Sequence, residues 1–115
     1  MSDFFDNWTV QVRKGLLELC VLNALGEREH YGYELVKTLV TIPGLEITEG
    51  TIYPLMSRLR LQGLVSTRLE ESSEGPARKY YALTKEGKQI ARLMNDYMDR
   101  LNAGAAILRR KGESQ

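Results

Sequence analysis

One cysteine, one histidine and one tryptophan are the chain's whole stock of those residues over 115 positions, and each scarcity removes an explanation. Cys20 has no second thiol to pair with, so no internal disulfide forms and a reducing compartment fits. His30 stands alone, and no cysteine or carboxylate set lies at metal-ligand spacing, so neither a metal nor a cofactor is expected. The same poverty leaves no Ser/His/Asp set, and no glycine-rich phosphate loop follows a strand, which argues against an enzyme. Excess charge is missing too: sixteen Lys/Arg face fifteen Asp/Glu, a net charge of +1. A strongly basic footprint would favour nucleic acid outright, so any such face here must be a local patch. The longest apolar run, within Leu16 to Leu25, is broken by Glu18 and Asn23 and is too short to span a bilayer. Met1 to Asp6 show no basic segment followed by an apolar one, so no signal peptide is expected and a cytoplasmic protein is.

What is present is an ordinary globular balance, 43% hydrophobic and 27% charged, with room for one domain and a modest core. Val10 to Leu25 reads as a helix apolar nearly all round, hence buried on several sides. Gly26 to Glu29 break it, with His30 expected in the turn and Cys20 as a small core residue. A short helix follows over Tyr31 to Leu39, ended by Ile42-Pro43-Gly44. A third runs from Glu49 to Gln62 with Thr48 as N-cap, Gly63 as stop and an inward stripe of Ile52, Leu55, Met56 and Leu59. Pro54 interrupts it and predicts a distorted or tightened first turn. Strands over Leu64 to Leu69 and Arg78 to Leu83 flank a charged loop, Glu70 to Ala77, whose carboxylates read as a solvated run. From Thr84 a last helix reaches Leu108, with Ile90, Met94, Tyr97, Leu101, Gly104 and Leu108 spaced as a heptad-like seam.

The fold class is therefore mainly α with a small β-hairpin: a winged helix-turn-helix plus a C-terminal dimerisation helix. Its division is an N-terminal arm over 1–9, a winged domain over 10–83, a dimerisation helix over 84–108 and a flexible tail over 109–115. The seam has no partner left inside so short a chain, and a second copy is the simplest one. Phe5 and Trp8, with Phe4, put aromatic rings at a terminus that is ordinarily polar and mobile. They are expected to pack on the partner's terminal helix, or, in a sharper reading, Trp8 lines a seam pocket with Met94 and Met98 for a flat apolar effector.

A helix sized for a major groove, followed by a hairpin with cations at its base, is a device for gripping duplex DNA. With the apolar stripe at the core, a 100° step places Gly50, Pro54, Ser57 and Leu61 on the outer face, flanked by Thr51, Tyr53, Arg58 and Arg60. Small residues there permit close approach, while hydroxyls and a guanidinium hydrogen-bond base edges. The duller reading is a solvated face such as any amphipathic helix shows. Arg78 and Lys79 suit phosphate or minor-groove contact; the duller reading of both is a salt bridge to Glu70, Glu71 or Glu74, for Lys79 an equal alternative.

These segments resemble the PadR family of bacterial transcriptional repressors, in its short-tailed subfamily. The match runs through Lys14 to Leu22, Tyr31-Gly32-Tyr33-Glu34-Leu35, Glu49 to Leu55, Arg58-Leu59, Gln62 to Val65 and Gly75 to Gly87, in that order. The resemblance implies a homodimer that binds inverted-repeat operators in double-stranded DNA and is released by small aromatic effectors. Its DNA contacts carry over to Tyr31 or Tyr33, to Thr51, Tyr53, Pro54, Ser57 and Arg58, and to Arg78 in the wing. Multidrug-binding members carry a tryptophan on the terminal helix where this chain has Met98, so the effector is left open. A winged-helix protein-interaction module without DNA binding is the competing class, favoured by the near-neutral charge.

Overall fold

The computed structural model describes residues 2–114. Four helices and a small sheet follow in the order α1 (Asp3–Glu27), β1 (His30–Tyr31), α2 (Gly32–Val40), α3 (Glu49–Leu61), β2 (Val65–Ser72), β3 (Gly75–Leu83) and α4 (Lys85–Glu113). The architecture is mainly α with a winged helix-turn-helix at its centre.

The expected N-terminal arm is the opening of α1. Ser2 caps it, its Oγ accepting from the Phe4 and Phe5 N–H groups at 3.1 and 3.4 Å, and Asp3 and Asp6 complement the positive helix end. Only the last third of α1 is buried, through Leu19, Val21, Leu22 and Leu25. These meet Leu35, Val36 and Leu39 of α2 and the stripe Ile52, Leu55, Met56 and Leu59 of α3, the inward set read from spacing. Cys20 packs against this cluster, and burial pushes its thiol above the ordinary value, so it serves as a small core residue.

α3 begins with a tightened turn, since the Thr48 carbonyl accepts from both Thr51 N–H and Ile52 N–H at 3.1 and 3.2 Å. Thr48 caps through its backbone, while its Oγ1 lies 3.2 Å from Thr51 Oγ1. The helix stops as expected at Gly63, whose φ of 80° is the left-handed conformation that glycine adopts without strain. Gly63 N–H then bonds Arg60 O and Leu64 N–H bonds Leu59 O, both at 3.0 Å, closing a Schellman motif.

His30 departs from expectation. It is a strand residue, 2% exposed, opposite Tyr81, and its Nδ1–H donates to the Arg28 carbonyl at 2.9 Å. Two residues show no period-2 pattern, which is why β1 escaped notice. The wing is accordingly part of a three-stranded antiparallel sheet in the order β1-β3-β2. The hairpin also zips further than its apolar content indicated, pairing Ser72 with Gly75 across an irregularity between Glu70 and Ser72. Backbone pairing sustains strands that are wet on both faces, so the expected loop over 70–77 shrinks to a tight turn.

Thr84 docks α4 on the end of α3. Its N–H donates to Leu64 O at 3.1 Å, its Oγ1 donates to Gly63 O at 2.7 Å, and the same oxygen accepts from Gly87 N–H at 2.9 Å. Gly87 permits this approach, because a Cβ there would lie 2.0 Å from the Leu64 carbonyl oxygen. Asn23 and Asn95 add a reciprocal amide pair between α1 and α4, at 3.0 and 2.8 Å. Beyond Ala91 no α4 residue is buried, yet the helix runs on through the expected tail to Glu113, aided by the Arg109–Glu113 pair at 2.7 Å. The result is long and thin: 64 × 33 × 21 Å with a radius of gyration of 17.1 Å. A compact chain of this length would have about 13 Å.

Candidate nucleic-acid interface

The stripe that buries Ile52, Leu55, Met56 and Leu59 turns Thr51, Tyr53, Pro54, Ser57 and Arg58 outward, all exposed. The first half of α3 thus offers hydroxyls and a proline with no bulky cover. Tyr53 leans back onto α2: a Cβ on Gly32 would sit 2.8 Å from its Cε1, so Gly32 is what lets this ring lie against the start of α2. That contact collects residues which the sequence showed as separate patches. Tyr31, Tyr33, Tyr53, Arg78 and Lys79, from β1, α2, α3 and β3, surround one shallow hollow of about 190 Å³.

The sheet face away from the core continues the patch. Tyr80 pairs in register with Tyr31 on one side and Arg68 on the other. The Arg78 guanidinium lies 4.6 Å from the Tyr31 ring centre, Tyr31 meets Tyr80 edge-on at 5.7 Å, and Arg68 lies 4.4 Å over Tyr80. Arg68 is also bonded by Glu29 and by Glu70, the latter at 3.1 Å, which pushes its guanidinium further above the ordinary value. The hydrogen bond from Arg68 in turn holds Glu29 below the usual carboxylate range. Among the described residues neither Arg78 nor Lys79 takes part in an ion pair, so the expected alternative partners of Lys79 do not engage it. Lys37, over the Tyr33 ring at 5.4 Å, adds a cation. Sequence reasoning missed Arg68, Tyr80 and Lys37. The alternation Arg68, Glu70 opposite Tyr80, Arg78 was the available signal.

Arg58 sits apart. Its Nη2 donates to Glu18 Oε1 at 3.1 Å, on the flank of α3 facing α1, where Gln62 and Glu86 share a polar cleft. It therefore does not belong to the tyrosine–arginine patch in this conformation.

The expected effector site divides. Met94 and Met98, with Leu16, Leu19 and Tyr97, line an apolar cleft of about 470 Å³ between α1 and α4. Trp8 lines a different groove, of about 270 Å³, with Ile42, Pro43 and Leu45. Within one chain the three are not brought together, because α1 stands between the two hollows. Phe5 and Trp8 stack on one another at 6.2 Å and remain about half exposed, so the chain itself covers these terminal rings only in part. The seam of α4 divides likewise: Ile90 and Met94 pack on the core, whereas Tyr97, Leu101 and Leu108 are exposed.

Comparison with known proteins agrees with this geometry. The family described as "Transcriptional regulator PadR-like family" matches residues 21–92. A crystal structure of a PadR family transcriptional regulator from Eggerthella lenta is similar over 92% of both chains, with 36% identity and a TM-score of 0.80. A PadR-like transcriptional regulator from Bacillus cereus is 35% identical over 85% of this chain and 95% of its own, with a TM-score of 0.77. The transcriptional regulator YqjI of Escherichia coli is 35% identical over 77 residues, 65% of this chain and 35% of that longer protein. None of the described helices is long and apolar enough to cross a membrane.

Proposed function

The chain belongs to the PadR-like family of transcriptional regulators, DNA-binding proteins and not enzymes, and from that premise we propose a homodimeric repressor of inverted-repeat operators. The observation that carries this reading is the convergence of Tyr31, Tyr33, Tyr53, Arg78 and Lys79 beside the open face of α3. Thr51, Tyr53, Pro54 and Ser57 enter the major groove, and Arg78, Lys79 and Tyr33 grip the phosphates beside it. Arg58 joins the readers only by releasing Glu18, an exchange that duplex phosphates favour. In this division residues 10–83 read DNA, the helix from 84 to 108 dimerises, and the N-terminal arm lies along the partner through Phe5 and Trp8. Its place of action is where the DNA is, the cytoplasm.

Dimerisation is supported by surface. The chain exposes 8372 Å², about 2,000 Å² more than a compact monomer of 13.1 kDa. The excess is of the size that obligate homodimers bury. Much of it is apolar: Phe5, Trp8, Tyr97, Leu101 and Leu108 on α1 and α4, continuous with Ile90 and Met94. A planar apolar effector in the cleft beside Met94 and Met98 would change the angle between α1 and α4, and so the spacing of the two readers. Release then follows from its differential affinity, a coupling of about 1–3 kcal/mol weakening DNA binding about 5–150-fold.

The test is a mobility shift on the DNA upstream of the protein's own gene, followed by footprinting. Two protected half-sites about 34–36 Å apart on one face are expected. An asymmetric single site would sink the two-fold operator, and no complex at low salt would sink DNA binding itself and favour an interaction module.

A further inference from the structure

We infer that Tyr31 is a positioning residue for DNA binding: its ring, not its hydroxyl, holds Arg78 at the base of the wing with its donors free. The inference rests on the DNA-binding reading and adds to it which atoms of Tyr31 the complex needs.

The ring is a fixed plate. Tyr31 pairs in register with Tyr80, its N–H donates to Glu34 at 3.1 Å, and its side chain meets Tyr80 edge-on at 5.7 Å. Arg78 lies over that plate at 4.6 Å. A guanidinium attracted through its face keeps its N–H edge available for a phosphate, whereas a carboxylate partner would occupy that edge. Glu70 is the register partner of Arg78 and the natural candidate to occupy it. Arg68 removes that competitor, bonding Glu70 at 3.1 Å while itself stacked on Tyr80. The same sheet face thus carries two arginines over tyrosine rings with opposite fates: Arg68 is paired with Glu29 and Glu70, whereas Arg78 takes part in no ion pair among the described residues. The turn of the wing cannot substitute, since Glu71 and Glu74 place like charge where phosphates would approach. The wing meets DNA by its base.

The experiment is fluorescence anisotropy of the full chain on a labelled duplex selected with the wild-type protein, at several salt concentrations. Tyr31→Phe keeps the plate, and with it is expected to keep the salt slope that Arg78 sets. Tyr31→Leu is expected to lose about two- to fivefold in affinity, the scale of one exposed cation–π contact. Arg78→Ala is expected to lower the salt slope by about one, and Tyr31→Leu added to it should change nothing more. Arg68→Met tests the same logic without touching Tyr31: it frees Glu70 to neutralise Arg78, and weakens binding only where Arg78 is present. Equal losses in Tyr31→Phe and Tyr31→Leu would make the hydroxyl the contact and overturn the inference. Additive losses of Tyr31→Leu and Arg78→Ala would overturn it too. A wild-type protein that bound no duplex at any salt would overturn the DNA-binding reading as well, so the two failures are distinguishable.

Discussion

Replacing Gly87 by alanine sets helix propensity against steric exclusion, and the structure decides which wins. In an exposed helix the change would stabilise by roughly 0.8–1.0 kcal/mol. At position 87 the new Cβ would lie 2.0 Å from the Leu64 carbonyl oxygen, backbone that cannot swing aside. Relief requires the first turn of α4 to lift off the end of α3 by about 1 Å, given ordinary non-bonded separations of about 3.3 Å or more. That movement breaks the bonds from Thr84 N–H to Leu64 O and from Thr84 Oγ1 to Gly63 O. Two such bonds are worth about 1 kcal/mol each, and disturbing the Thr84 cap about 1 kcal/mol more. Against the propensity gain, the expected net loss is about 2 kcal/mol, a fall of roughly 10 °C in melting temperature at this size. Thermal melts at fixed protomer concentration would read it, because a dimer's midpoint depends on concentration. Gly26→Ala is the control: its Cβ would meet only Leu83 Cδ1 at 3.7 Å, an ordinary contact, and no loss beyond about 0.5 kcal/mol is expected. A Gly87→Ala protein as stable as wild type would refute the close approach of α4 to Leu64, and with it the rigid link between the reader and the terminal helix.

Leu101→Asp, at an exposed seam position, is expected to leave the fold intact and give a monomer in sedimentation; a wild-type monomer at micromolar concentration would remove the basis for a dimer. Ser57→Ala combined with Tyr53→Ala is expected to lower operator affinity by about 1–3 kcal/mol per lost base contact, more than on unrelated DNA. Equal losses on both DNAs would show that α3 does not read sequence. Glu29 has a depressed pKa through its bond from Arg68, so its contribution to stability is full above the ordinary value of 4.5 and fades as pH falls through the lower folded value. Glu29→Gln should therefore flatten the acid limb of a stability profile; an unchanged limb would mean the pair contributes nothing in solution.

The strongest sequence signals were those where local chemistry and burial agree. The α3 stripe, Gly63 after it and Thr84 before α4 were all legible, because a 3.6-residue period, a positive φ and a capping hydroxyl each leave a residue-type signature. The short β1 and the far end of the hairpin left none, since backbone pairing holds Ser72 opposite Gly75 without apolar side chains. Both ends of the chain read as arm and tail because helices there rest on a cap and i,i+4 pairs, not on a core-facing stripe.

The fold class, the family and the outward face of α3 were determined by the sequence alone, through periodicity and an ordered set of short motifs. Which of those outward residues act together was not. Only the tertiary structure joined Tyr31, Tyr53 and Arg78 across β1, α3 and β3, turned Arg58 toward Glu18, and parted Trp8 from Met94 and Met98. The reason is physical: period and turn chemistry act over a few residues, whereas ring stacking and ion pairing depend on how elements far apart in the chain come to lie side by side.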